Sequence, residues 1–288
     1  MLQDLLTHWQ TLGQISPRYL IGARLQLHWA AQVPASLGFT YVPPEPDFSH
    51  TSLFSRVDTG VARLVSQPVL GGIRASIRVA DLTLELIDAT DAFVDRLHLH
   101  GRTLDEAYEW LTGALYARTG VAHALVRPDH TLPDHPVASG APFLYGESLE
   151  FDALERWFVD AHALLHHLRD AHDPGAAVRC WPHHLDMAFL IALDPDAAPE
   201  EARSVGVGMS PGDAAYTQPY FYVNHWPRHA GDALPPLPVG QWHRNGWLGA
   251  ALTGERLIEA RSTAAQVDTA LRFFDAAIEA SMRLLPED

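Results

Sequence analysis

Residues 52–99 carry several short apolar stretches separated by glycine, aspartate and proline, and this pattern constrains the fold more than any other feature of the chain. Short stretches rich in β-branched and apolar residues, bounded by turn-forming residues, are typical of strands. Their close spacing is typical of an antiparallel meander. The predicted strands are 52–57, 61–65, 73–79, 82–87 and 93–99.

Amphipathic helices are predicted on both sides of this meander. Residues 19–33 have apolar residues at all odd positions, as a strand would, but a run of this length is long for a strand and favours a helix. Thr103 and Glu106 form a capping box, which predicts a helix that ends near Gly120. Further predicted helices cover residues 2–12, begin at the N-cap Ser148, and begin at Thr263-x-x-Gln266.

The strands cluster along the chain instead of alternating with helices. This order favours an α+β fold, with mostly antiparallel sheets and amphipathic helices packed on them, over a doubly wound parallel sheet. A long loop at 127–147 would separate an N-terminal lobe, 1–126, from a C-terminal lobe, 148–288. A single domain is the alternative. The strands and loops of a second sheet are predicted at 178–193, 205–209, 219–226 and 247–252.

The charge of the chain argues against nucleic acids and membranes as partners. It carries 35 acidic and 20 basic residues, a formal net charge of −15, and no basic run. An anionic polymer or lipid surface would be repelled by that average field. No apolar stretch reaches the roughly 18 residues of a membrane span, and the first residues do not resemble a signal peptide.

Two residue types exclude whole classes of chemistry. All 20 basic residues are arginine, so pyridoxal-phosphate attachment, Schiff-base catalysis and a lysine-containing phosphate loop are not expected. Cys180 is the one cysteine, which excludes an intramolecular disulfide and a cysteine-rich iron–sulfur or zinc site. This composition suits a cytoplasmic protein.

The segment 179–247 is the predicted location of a site. It holds half of the eight tryptophans, together with histidines, prolines and glycines. Rigid aromatic residues mixed with titratable groups are typical of a shaped polar cavity. The residues predicted to line a ligand pocket are Trp181, Tyr220, Tyr222, Trp226, Trp242 and Trp247.

His184 and Asp186 are the predicted chemical pair of this segment. If the stretch 181–186 is a strand, the two side chains share a face. There they would form a general base with its carboxylate partner, or part of a divalent metal site, zinc or iron, completed by His225 and His243. Alternatively, Asp186 only satisfies a buried histidine. Asp213, in the turn Ser-Pro-Gly-Asp at 210–213, is the predicted second catalytic carboxylate.

Several sequence blocks resemble an uncharacterised bacterial protein family. The blocks are Leu-His-Trp-Ala-Ala-Gln at 27–32, Asp-Phe-Ser-His-Thr at 47–51, Ala-Asp-Leu-Thr-Leu at 80–84, Trp-Pro-His-His-Leu-Asp at 181–186, 208–213 and 219–227. The resemblance implies that these segments belong to one design, and it implies no activity.

Three functional hypotheses follow. The first is a cytosolic enzyme that acts on a small molecule through His184 and Asp186, with metal-dependent hydrolysis as the default reaction. The second is a non-catalytic protein that binds a small molecule in an aromatic-lined pocket. The third is a scaffold whose aromatic residues form an interface. The sequence leaves the substrate, the reaction and the oligomeric state open.

Overall fold

The computed structural model describes residues 2–145, 149–194, 197, 202–227 and 234–285. Within these residues the chain forms six α-helices and eleven strands, all strand pairs with a defined register being antiparallel. The predicted α+β class with mostly antiparallel sheets is therefore confirmed. No described helix is long and apolar enough to cross a membrane.

The chain divides into two compact units. The first unit comprises Met1–Tyr19, Val159–Val178 and Asp186–Asp288, and the second comprises Leu20–Phe158 and Arg179–Leu185. Each unit is described by itself below. The lobes predicted at 1–126 and 148–288 remain a prediction.

The second unit contains the meander that the sequence predicts. Consecutive strands pair antiparallel in the order β6-β1-β2-β3-β4-β5, with the sixth strand added next to the first. Five of the six strands are contiguous in sequence because short turns suffice to connect antiparallel neighbours. The bounds are β1 Leu53–Asp58, β2 Val61–Val65, β3 Arg74–Arg78, β4 Thr83–Ile87, β5 Phe93–His98 and β6 Arg179–Trp181.

The helices of the second unit follow the predicted signals. Helix α2 (Ile21–Tyr41) confirms the helix expected at 19–33, and it packs on β3 and β2. Helix α3 (Leu104–Thr119) begins at the predicted capping box, in which Thr103 Oγ1 accepts from the Glu106 amide at 3.2 Å and Glu106 accepts from the Thr103 amide at 2.8 Å. Helix α4 (Leu149–His172) contributes to both units, and its predicted N-cap, Ser148, lies outside the described residues.

The first unit has a sheet of five strands with one long helix against it. The strand order is β10-β11-β9-β8-β7. The last helix packs on β8, β9 and β11, where the ring centroids of Phe221 and Phe274 are 5.3 Å apart. The elements are α1 Leu2–His8, β7 Asp186–Ala192, β8 Ser204–Ser210, β9 Tyr220–Trp226, β10 Gln241–His243, β11 Gly249–Thr253, α5 Gly254–Ile258 and α6 Thr263–Leu284. Short 3₁₀ helices lie at Pro17–Leu20, Ser49–Thr51 and Pro136–Ser139.

The start of α6 differs from its prediction. Its N-cap is Ser262, whose hydroxyl accepts from the Ala265 amide, and not Thr263. Gln266 is fully buried, and its side-chain amide binds the backbone of Leu12 in both directions and the indole N–H of Trp9. Gln266 thus holds the N-terminal segment of the first unit in place instead of completing a capping box.

Residues 181–186 do not form the strand on which the pairing of His184 with Asp186 depends. The chain turns between β6 and β7, where the amides of His184 and Leu185 both donate to the Trp181 carbonyl at 3.1 and 2.7 Å. Leu185 adopts a left-handed backbone with φ of 58°. Pro182 has no amide hydrogen to continue a strand ladder, which favours a turn at this point. The strand alternation that put His184 and Asp186 on one face therefore does not hold.

Candidate functional site

The outer face of the first unit's sheet carries a group of aromatic and acidic side chains. Helix α6 covers the opposite face, toward which Phe221, Val223 and His225 of β9 point. Because side chains alternate along a strand, Tyr220 and Tyr222 lie on the outer face. We call the following residues the tyrosine–aspartate cluster: Asp186, Asp213, Tyr216, Tyr220, Tyr222, His243 and Trp247.

Two phenol–carboxylate hydrogen bonds hold the centre of this cluster. The Tyr222 hydroxyl donates to Asp186 Oδ2 at 2.5 Å, and the Tyr220 hydroxyl donates to Asp213 Oδ2 at 2.7 Å. Bonds from a hydroxyl to a charged carboxylate are short and strong. The two aspartates predicted as catalytic are thus both in the cluster, each oriented by a tyrosine.

Glycines in the sheet make room for these rings. Gly208 of β8 pairs with Tyr222, and a Cβ at position 208 would lie 2.5 Å from Tyr222 Cζ. A Cβ at Gly249 of β11 would lie 2.6 Å from Trp247 Cζ3. Glycine inside a strand weakens the strand and often marks a close approach by another group. Here it allows Tyr222 to lie across β8 and reach Asp186 on β7.

The loop after β8 fixes Asp213. Its Oδ1 accepts from the amides of Ala215 at 2.7 Å and Tyr216 at 2.8 Å, and its own amide donates to the Tyr216 carbonyl. Gly212 has a φ of 119°, a conformation that favours glycine. The predicted turn at 210–213 thus presents Asp213 to Tyr220.

Tyr220 is held in its protonated form. Burial raises the pKa of its phenol, and the nearby charge of Asp213 and the hydrogen bond to that carboxylate raise the pKa further. The charge of Asp186 acts in the same direction. Tyr220 therefore stays a hydrogen-bond donor at neutral pH.

A third tyrosine and a stacked histidine extend the cluster. The Tyr216 hydroxyl lies 3.1 Å from His243 Nδ1, and His243 Nε2 lies 2.6 Å from the carbonyl oxygen of Asn245. The His243 ring stacks on Trp247 with centroids 4.4 Å apart. Trp247 is also within 6.2 Å of both Tyr220 and Tyr222, so the rings form one connected set.

We expect Gly208→Ala to displace the Tyr222 ring and to destabilise the protein by about 1–3 kcal/mol, as overpacking does. The new methyl would also lie 2.7 Å from the Met187 carbonyl. Urea unfolding measures the loss. Gly113→Ala is the control, because nothing lies within 4 Å of its Cβ position in α3, and it should be neutral or stabilising. Equal effects of the two variants would contradict this account of Gly208.

The structure brings together only part of the predicted site. Asp186, Asp213, Tyr220, Tyr222 and His243 lie in the cluster. By strand alternation Trp226 is on the same face of β9 but farther along, and it is 45% exposed. His225 is 4% exposed and points to the opposite face, as does Trp242, whose indole donates to the Pro235 carbonyl. His184 and Trp181 belong to the second unit.

No metal site is visible at the predicted positions. In the part of the chain that the structure describes, no three His, Cys, Asp or Glu side chains are arranged to hold a metal ion. The divalent metal, with His184, Asp186, His225 and His243 as ligands, remains a prediction without geometric support.

The second unit holds a group of histidines around the turn that contains His184. The Pro182 carbonyl lies 3.0 Å from His28 Nε2 and accepts from the Gln32 side-chain amide at 2.8 Å. Gln32 Oε1 lies 2.9 Å from His130 Nε2. The His183 ring lies 5.8 Å from that of His130 and 4.4 Å from that of His184.

The sequence did not predict several of these residues. His28 and Gln32 are one helical turn apart in α2, a spacing that puts both on one face, and this was the available signal. Tyr216 was also missed, since its only signal is its place between Asp213 and Tyr220 in the chain. The ring of His183 is half-buried and lies against those of His130 and Phe48.

Comparison of the chain with protein-family models, curated proteins and solved structures found no match. The resemblance of its sequence blocks to a bacterial family remains a prediction. The function must therefore be argued from the geometry alone.

Proposed function

We propose that the protein binds a small molecule on the outer face of the first unit's sheet, at the tyrosine–aspartate cluster. The observation that carries this proposal is the pair of phenol–carboxylate bonds, Tyr220 to Asp213 and Tyr222 to Asp186, the second of which Gly208 makes possible. This is the second of the three sequence hypotheses, a binding protein with an aromatic-lined site.

Burial and composition support a ligand site more than a structural role. The rings of Tyr216, Tyr222, His243 and Trp247 are half-buried, so part of each remains accessible to a ligand. Ligand sites combine aromatic surface with a few fixed polar groups. A core would instead bury the rings and avoid two carboxylates, whose charge is costly away from water.

Catalysis is a separate proposal that rests on the sequence. Asp186 and Asp213 are in the cluster, but their contacts are with tyrosines, and His184 makes its described ring contact with His183. These contacts favour binding over hydrolysis. The proposed ligand is a small molecule and not a nucleic acid, which the net charge of −15 supports, and the proposed location is the cytoplasm, which the single cysteine favours.

A metabolite library tests the proposal by thermal shift and tryptophan fluorescence. We expect at least one compound to raise the Tm of the wild type and of the control Trp110→Ala, a tryptophan of α3 in the second unit. The same compound should not raise the Tm of Trp247→Ala or Asp213→Asn. Circular dichroism checks that both variants fold.

Two outcomes would count against the proposal. One is a library without a stabilising compound, and the other is a set of compounds that stabilise Trp247→Ala and Asp213→Asn as much as the wild type. Product analysis of each binding compound then separates binding from turnover. Turnover that requires added metal and is lost in His184→Gln would favour the metal-dependent enzyme instead.

A further inference from the structure

The central tyrosines direct their hydroxyl hydrogens inward. A phenol has one hydrogen to donate. Tyr222 donates this hydrogen to Asp186, and Tyr220 donates its own to Asp213. Neither hydroxyl can therefore donate to a ligand without breaking a bond to a carboxylate.

The hydroxyl of the third tyrosine, Tyr216, also donates its hydrogen to a neighbouring side chain. The carbonyl oxygen of Asn245 can only accept, so His243 Nε2, 2.6 Å away, carries the hydrogen. In the neutral imidazole Nδ1 is then an acceptor, and the Tyr216 hydroxyl donates to it at 3.1 Å. Both hydrogens of this pair are used within the cluster.

The groups of the cluster that can contact a ligand, its ring faces and the Asp213 carboxylate, are therefore electron-rich. The faces of aromatic rings are negative. Asp213 makes no ion pair within residues 2–145, 149–194, 202–227 and 234–285, and its Oδ2 has a lone pair beyond the one that Tyr220 uses. Arginine pairs with many other carboxylates of the chain, such as Asp194, whose partner Arg203 is 2.7 Å away. Among the described residues, the charge of Asp213 is thus not balanced by an arginine.

We infer that the ligand of the tyrosine–aspartate cluster is a small organic cation with an ammonium group, held against the rings of Trp247, Tyr216 and Tyr222 and beside Asp213. This inference rests on the proposed function and names its ligand class. An ammonium is attracted to aromatic faces, best of all to tryptophan, and to a carboxylate. It brings positive charge and needs no donor from the protein.

Other ligand classes fit the same surface less well. An anion would meet the charge of Asp213. A sugar stacks on aromatic rings, but its hydroxyls need donors as well as acceptors, and the three phenols and His243 have none left. The indole N–H of Trp247 is the donor that the cluster retains. A cation needs no donor, so the surface favours a cation over a neutral polyol.

Choline, its neutral isostere 3,3-dimethylbutan-1-ol and glucose test the inference by isothermal titration of the full chain. We expect choline to bind the wild type, and the isostere and glucose to bind on the order of tenfold more weakly or not at all. Asp213→Asn, which retains an acceptor for Tyr220, and Trp247→Leu should each weaken choline binding on the order of tenfold. Asp268→Asn, an equal charge change on the exposed face of α6, should leave it unchanged.

The inference is overturned if the isostere or glucose binds as well as choline, if Asp213→Asn retains full affinity, or if choline does not bind at up to about 50 mM. The library test separates this from the proposed function. A neutral or anionic compound whose binding is lost in Trp247→Ala would leave the binding site standing and reject the cation. A library without any compound sensitive to Trp247→Ala would reject both.

Discussion

Lowering the pH from 7 to 4 should destabilise the protein by about 3 kcal/mol through the histidines of the second unit. Burial is the main cause that lowers the pKa of His28 from 6.5 to about 4, and the nearby Arg24, His130 and His184 lower it further, against the Pro182 carbonyl, which raises it. Burial, with His184 and His130, also lowers the pKa of His183 to about 4. His183 is half-buried, so solvent screening reduces its share.

The direction of this stability change follows from the difference in proton binding between the folded and the unfolded chain. Both histidines take up protons more readily in the unfolded chain than in the folded one, so stability is complete above pH 6.5 and is lost as the pH falls toward 4. Burial raises the pKa of Glu155, so protonation of Glu155 increases stability as the pH falls. The pKa of Asp194 is lowered to about 2, and its contribution to stability is lost at more acidic pH. The histidines therefore dominate the loss of stability between pH 6.5 and about 5, above the range in which carboxylates take up protons.

Urea unfolding at pH 7, 6, 5 and 4.5 measures this loss. In His28→Gln the decline between pH 7 and 4.5 should become smaller, because the buried group no longer titrates. His8→Gln, a change of an exposed histidine in α1, serves as the control and should retain the full decline. A wild type with the same free energy of unfolding at pH 7 and 4.5 would show that these histidines are not held neutral by the fold.

Replacing Glu85 by alanine should cost about 3–5 kcal/mol of stability, because the change leaves a buried arginine without its main partner. Glu85 is fully buried in β4, and its Oε2 accepts from Arg63 Nε at 2.8 Å and from the Ser76 hydroxyl at 3.1 Å. Arg63 is 8% exposed and lies over the Phe93 ring, 5.0 Å from its centroid.

A double variant and a control make this prediction specific. In Glu85→Ala with Arg63→Met, no charge remains buried, so the loss should be smaller than in Glu85→Ala alone. Glu109→Ala, at an exposed position of α3, should change the free energy of unfolding by less than about 0.5 kcal/mol. If Glu85→Ala unfolds in urea at the same midpoint as the wild type, the pair contributes nothing to stability.

The sequence predicted the elements whose signals are local. The meander at 52–99 and the capping box of Thr103 and Glu106 depend on residues a few positions apart, and both are present. Residues 181–186 form a turn and not the strand on which the pairing of His184 with Asp186 depended, because alternation along the sequence could not distinguish the turn at Pro182 from a strand. The short strand β10, Gln241–His243, was missed because three residues carry too little pattern.

The candidate site was predicted as a set of residue types in one segment, but not as a set of contacts. The sequence by itself determined that aromatic and acidic residues would lie close along 179–247, and that lysine chemistry was absent. Only the tertiary structure decided which of them meet. Tyr222 reaches Asp186, 36 residues away, because β8 lies between their strands and has Gly208 opposite the ring. Strand order and register are non-local properties, and a shift of one residue would turn Tyr222 to the other face.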